Sequence, residues 1–121
     1  MSAGLLLADD FLFISRVQGH ARALGLDIRS VRTPAVLLAK AAESNPPCVI
    51  LDVHVAGDQI AELIPALKAL EPAPRVIGYG SHVAAATLQA AREAGCDLVV
   101  PNSKFVEILP TELASWMKAI S

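Results

Sequence analysis

Four stretches of the chain are continuously apolar: Leu5-Leu6-Leu7-Ala8, Val49-Ile50-Leu51, Val76-Ile77 running into Gly78-Tyr79-Gly80, and Leu98-Val99-Val100. Apolar runs without alternation read as strands covered on both faces. A fifth stretch, Leu26-Asp27-Ile28-Arg29-Ser30-Val31, mixes polar and apolar positions, as a strand at an exposed sheet edge would. Between these runs the period lengthens to that of helices. Phe11, Ile14, Val17, Ala21 and Leu24 recur at three- and four-residue steps, and Gly25 stands where a left-handed cap belongs. Thr33 and Pro34 form an N-cap and first-turn pair that opens a second helix through about Ala42, before Ser44-Asn45-Pro46-Pro47 ends it. Asp58 is placed to cap a third helix from Gln59 to about Leu70, kinked at Pro65. Ser81 is placed to cap an Ala-rich fourth helix closed by Gly95. The fifth is expected from about Pro110 to Ile120, with Leu113, Trp116, Met117 and Ile120 on one side.

Strand and helix thus alternate five times, joined by connections too short for anything but right-handed crossovers. The expected architecture is an α/β, doubly wound, five-stranded parallel sheet with five helices. The polar second strand belongs at its edge, giving the order 2-1-3-4-5, the flavodoxin-like arrangement. The 121 residues suit one domain spanning 1–121, without repeat, linker or low-complexity segment. With 54% hydrophobic but only 4% aromatic residues, the core must be built from Ala, Leu, Val and Ile.

A formal charge of -2 and a pI near 5.8 leave no basic footprint for nucleic acid. No apolar run approaches a membrane span, and the segment before Asp9 lacks the positive start and the length of a signal peptide. Cys48 and Cys96 sit apart beside apolar runs and read as reduced, buried thiols, so a reducing cytoplasm is the expected compartment. His20, His54 and His82 have no mutual metal spacing and read as surface or capping residues. The glycines around Tyr79 lack the spacing of either nucleotide fingerprint, and no set of nucleophile, base and orienter is present, so an enzyme is not expected.

Chemistry concentrates in the acids. Asp9 and Asp10 follow the first strand and Asp52 follows the third, so the two strands flanking the reversal of strand order deliver three carboxylates to one place. Such crowding is unfavourable unless protons or a cation relieve it, and Mg2+ is a hard ion suited to a few carboxylates and several waters. The bland alternative is that these acids merely cap or terminate elements.

In Leu-Leu-Leu-Ala-Asp9-Asp10-Phe, Val-Ile-Leu-Asp52-Val and Ala94-Gly95-Cys96-Asp97, the chain resembles the receiver domains of two-component response regulators along nearly its whole length. The resemblance implies that Asp52 accepts a phosphoryl group from a sensor histidine kinase, while Asp9, Asp10 and Asp52 hold Mg2+, which screens the repulsion between phosphoryl group and carboxylates. With no effector segment after Ser121, output is expected through docking on another signalling protein. The expected surface is the fourth and fifth helices with the strand between them, which also allows a homodimer.

The resemblance thins at the readout positions. The Thr or Ser slot after the fourth strand falls on Gly80, with Ser81 one residue late. The conserved-lysine slot of the family falls on Pro101 or Asn102, with Lys104 displaced, and the aromatic slot falls on Leu98. The loop Val53-His54-Val55-Ala56-Gly57-Asp58-Gln59 lacks the family's Met-Pro. These substitutions leave open a degenerate receiver that acts as a phosphorylation-independent interaction module. His54 would stand beside the acids, placed to influence the access of a hydrolytic water. A remote alternative is a cobalamin-binding domain through Asp52-x-His54-x-x-Gly57. That motif belongs after a domain's first strand, whereas here two predicted strands precede it and only about sixty residues follow.

Overall fold

The apolar runs form the interior of one sheet. The computed structural model describes residues 3–118. Its strands are β1 (Gly4–Leu7), β2 (Ile28–Val31), β3 (Cys48–Asp52), β4 (Arg75–Gly80) and β5 (Leu98–Pro101), all parallel, in the order β2-β1-β3-β4-β5. The helices are α1 (Phe11–Ala23), α2 (Pro34–Ser44), α3 (Ile60–Lys68), α4 (Ala85–Ala94) and α5 (Asn102–Trp116), with a one-turn helix at Val53–Ala56 and a 3-10 turn at Gly57–Gln59 before α3. The flavodoxin-like order is therefore the observed one. In β2, Ile28 and Val31 are buried while Arg29 and Ser30 are exposed, the pattern of an edge strand.

Successive strand residues point to opposite faces. Leu5, Leu7, Val49, Leu51, Val76 and Val99 face the layer of α2, α3 and α4. Leu6, Ile50, Ile77, Tyr79 and Val100 face α1 and α5. Both faces are covered because the helices present matching stripes: Leu37 and Ala41 from α2, Leu63, Ile64 and Leu67 from α3 and Leu88 and Ala91 from α4 on the first, and Ile14, Val17 and Ala21 from α1 with Phe105, Leu109, Leu113 and Trp116 from α5 on the second. Phe13, Tyr79, Phe105 and Trp116 form a cluster on this second face: Tyr79 lies 5.0 Å from Phe13 and 4.4 Å from Phe105, Phe13 and Phe105 lie 6.2 Å apart, and Trp116 lies 6.1 Å from Phe105. Among the described residues no helix is long and apolar enough to cross a membrane.

Several helix ends follow the sequence reading. Thr33 Oγ1 accepts the amide of Val36 at 3.2 Å, and Gly25 and Gly95 adopt the left-handed conformation, φ 73° and 115°. Three ends do not. The 3-10 turn takes up Asp58, so α3 begins at Ile60 without a side-chain cap. Ser81 caps a turn instead of a helix: its Oγ accepts the amide of Val83 at 3.3 Å, and α4 starts only at Ala85. The last helix starts directly after β5 and contains Pro110 in its interior, because Phe105 and Leu109 extend the buried stripe N-terminal to that proline. Of the residues expected on its apolar side, Ile120 lies outside the described residues. The far end of α5 is held by Arg75, whose guanidinium donates to the carbonyls of Ser115, Trp116 and Lys118 at 2.9, 3.2 and 3.0 Å.

Candidate functional site

At the carboxyl ends of β1 and β3, where strand order reverses, the chain leaves the sheet through acids. Beyond buried Leu7 and Ala8, Asp9 and Asp10 are exposed. Asp10 is extended and its Oδ1 accepts the amide of Leu12 at 2.9 Å, which makes it the N-cap of α1. Asp52 ends β3 in the same way: its Oδ1 accepts the amide of His54 at 2.9 Å and caps the Val53–Ala56 turn. The bland role foreseen for strand-terminal acids is thus present at Asp52, and Asp10 has it too. Each bond occupies one carboxylate oxygen, Oδ1.

Asp10 and Asp52 line one cavity of about 310 Å³ together with Phe13, Val53, His54, Gly57, Tyr79, Ser81 and the start of α4 and α5. Asp9 is not part of its lining. Burial pushes the Asp52 carboxyl above the usual carboxylate range, and the charge of Asp9 adds to the rise. The amides of His54 and Val55 and the His54 side chain oppose it without cancelling it. A carboxylate whose ionised form is disfavoured in this way is relieved by a cation, and the oxygen donors suit a hard one such as Mg2+. Among the described residues no three His, Cys, Asp or Glu side chains converge as a preformed metal set.

The readout positions fall in different places. In the β3–β4 register Asp52 is paired with Tyr79, so the two lie side by side and, by strand alternation, on the same face of the sheet. Gly80 faces the other way. A Cβ there would stand 2.5 Å from Val53 Cγ2 and 3.4 Å from Leu88 Cδ2, so position 80 has no room for a side chain. Ser81 lines the cavity, but its hydroxyl oxygen is engaged with Val83. Leu98 packs into the layer of α1 and α5. Pro101 ends β5 opposite Gly80, and Asn102 next to it lines the cavity. Lys104 is exposed, with Nζ 3.7 Å from Glu107 Oε1, and is not among the lining residues, which include no lysine or arginine.

Tyr79, placed by the sequence in the strand run Val76-Ile77-Gly78-Tyr79-Gly80 with glycines that lack a nucleotide fingerprint, is the residue to which sequence reasoning assigned no role. It is 1% exposed, packed against both Phe13 and Phe105 in a cluster of three rings, and its hydroxyl has no hydrogen-bond partner among the described residues. The strand register carries the signal for its place, and an apolar run without alternation hides which face each residue takes.

No protein-family model and no curated protein matches the sequence. Solved structures do. The chain is similar to the receiver domain of NtrX from Brucella abortus, with a TM-score of 0.77 and 19% identity over 94% of this chain and 97% of that one. The fold is that of a receiver domain. The beryllofluoride-activated DrrB receiver domain has the same TM-score of 0.77, with 22% identity over 96% of this chain and 97% of that one. An atypical orphan response regulator described as having a phosphorylation-independent regulatory mechanism has a TM-score of 0.76, with 10% identity over 95% and 94% of the two chains. The receiver fold accounts for the placement of Asp10 and Asp52 at one cavity. It does not by itself assign them a reaction.

Proposed function

We propose that the protein works as an atypical receiver in two-component phosphorelay signalling, with Asp52 as phosphoacceptor. The observation that carries this reading is the convergence of Asp10 and Asp52, from the two strands flanking the switch point of a receiver fold, on one cavity. Asp9, Asp10 and Asp52 would hold Mg2+, which supplies charge neutralisation between the acids and an incoming phosphoryl group. In the transfer the bond from phosphorus to the donor's leaving group breaks, a bond from phosphorus to an Asp52 carboxylate oxygen forms, and the leaving group departs with the electron pair. A sensor histidine kinase is the proposed donor.

Output is proposed to run through docking on another signalling protein. The α4–β5–α5 face is the proposed surface, and it would also serve a homodimer. Phe11 and Leu12, 76% and 75% exposed directly after Asp10, add an apolar contact beside the cavity, where a partner handling Asp52 must approach.

A second reading is a degenerate receiver that binds partners without phosphorylation. The capping bonds of Asp10 and Asp52 and the lack of lysine or arginine in the cavity lining favour it. The two readings part on one experiment. The protein is incubated with acetyl phosphate and Mg2+, and separately with beryllofluoride and Mg2+, with Asp52→Asn as control. The phosphoacceptor reading expects a mass gain of one phosphoryl group and NMR shifts around Asp52, both absent from the variant. Unchanged mass and spectra in the wild type would leave the interaction module as the function.

A further inference from the structure

We propose that the hydroxyl of Tyr79 is the hydrogen-bond donor that holds an anionic adduct on Asp52, in the place of the short hydroxyl and the lysine that Gly80, Pro101 and Asn102 do not supply. This rests on the reading of Asp52 as phosphoacceptor and adds a positioning residue to it. Tyr79 is the register partner of Asp52 and shares its face of the sheet. Its hydroxyl is buried and unpaired among the described residues, which is a costly state for a phenol inside a protein and one that an arriving acceptor relieves.

The ring is restrained by its neighbours. Phe13 and Phe105 both pack against it, with centroids 5.0 and 4.4 Å from it and 6.2 Å from each other, so its place is set before any adduct arrives. Burial, and then the charges of Asp52, Asp10 and Asp9, push the Tyr79 phenol above its ordinary range. The hydroxyl therefore lies within the field of the acidic cluster and remains a protonated donor. In the free protein it bonds to none of these carboxylates. A phosphoryl or fluoroberyllate group on Asp52 carries its acceptor atoms beyond the carboxylate, into a cavity that Tyr79 also lines. The O–H bond of Tyr79 stays intact throughout, since the residue only donates a hydrogen bond.

Tyr79 is the sole tyrosine of the chain, so labelling tyrosine with carbon-13 at Cζ reports on this residue alone. Wild type, Tyr79→Phe and Asp52→Asn are titrated with beryllofluoride and Mg2+. The expected result is a shift of the Cζ resonance when the wild-type adduct forms, and an adduct about tenfold weaker in Tyr79→Phe, the weight of one hydrogen bond. Tyr79→Phe keeps the ring stack and removes an unpaired hydroxyl, so its melting temperature should equal or exceed that of wild type. An adduct that forms in the wild type without moving Cζ, or with the same affinity in Tyr79→Phe, overturns the role of Tyr79 while leaving Asp52 as acceptor. No adduct in the wild type overturns both. The Cζ readout requires no variant and so stands even if a substitution disturbs folding.

Discussion

The amide of Asp97 donates to the carbonyl of Val76 at 2.8 Å, and the Oδ2 of Asp97 accepts the amide of Val76 at the same distance. This two-way clasp joins the start of β4 to the turn before β5, at the end of the sheet away from the acids. Lys68 Nζ reaches the same oxygen at 2.7 Å from the last turn of α3. The Gly95-Cys96-Asp97 sequence that contributed to the family resemblance is thus structural here: Gly95 turns the chain and Asp97 pins it.

Asp97→Ala is expected to lower stability by about 2 kcal/mol, the scale of a hydrogen bond to a charged acceptor. Lys68→Met should cost about 1 kcal/mol or less, since both partners of that ion pair are partly exposed. Urea unfolding of the two variants checks the order, and neither should alter binding of beryllofluoride at the other end of the sheet.

Because burial raises the Asp52 carboxyl, the folded chain binds a proton there more readily than the unfolded chain. Its contribution is fully present below the unfolded value, near 3.8, and is lost as pH rises through the raised folded value. Asp52→Asn removes this titration and keeps a good N-cap for the Val53–Ala56 turn. Thermal melts between pH 4 and pH 8 should therefore show the variant gaining on the wild type as pH rises; a constant difference would contradict the burial effect. Added Mg2+ should raise the melting temperature of the wild type more than that of the variant.

Gly80→Ala places a methyl 2.5 Å from Val53 Cγ2 and should cost about 1 to 3 kcal/mol through overpacking. Val53→Ala in the same chain should recover part of that loss, and a double-mutant cycle by chemical denaturation measures the coupling. Strict additivity would mean that the two positions do not meet.

Burial pushes the thiols of Cys48 and Cys96 up to about 12. At pH 8 iodoacetamide should label neither in the native protein on the timescale at which it labels both in urea, because the thiolate is the reacting form. Mass spectrometry counts the adducts.

Much of this structure is written in local patterns. Val49-Ile50-Leu51 is a central strand because helices cover both its faces, and Ile28-Arg29-Ser30-Val31 is an edge strand because one side meets water. What resisted reading was whatever depends on a partner. Pro110 resembles a helix start in isolation, and only the docking of Phe105 and Leu109 against the sheet makes it an interior residue of α5. The acids were legible because strand ends carry them. The place of Tyr79 was not, since its face is set by the pairing of β4 with β3, and β4 itself has no alternation to betray it.

The aromatic cluster gives the site an optical window. Tyr79 touches Phe105, and Phe105 stacks on Trp116, the single tryptophan of the chain. Any event at Asp52 that displaces the Tyr79 ring has an unbroken succession of rings through which to reach Trp116 near the end of α5. Its emission can therefore follow occupancy of the acidic cavity in the unlabelled protein, from a position far from the chemistry itself.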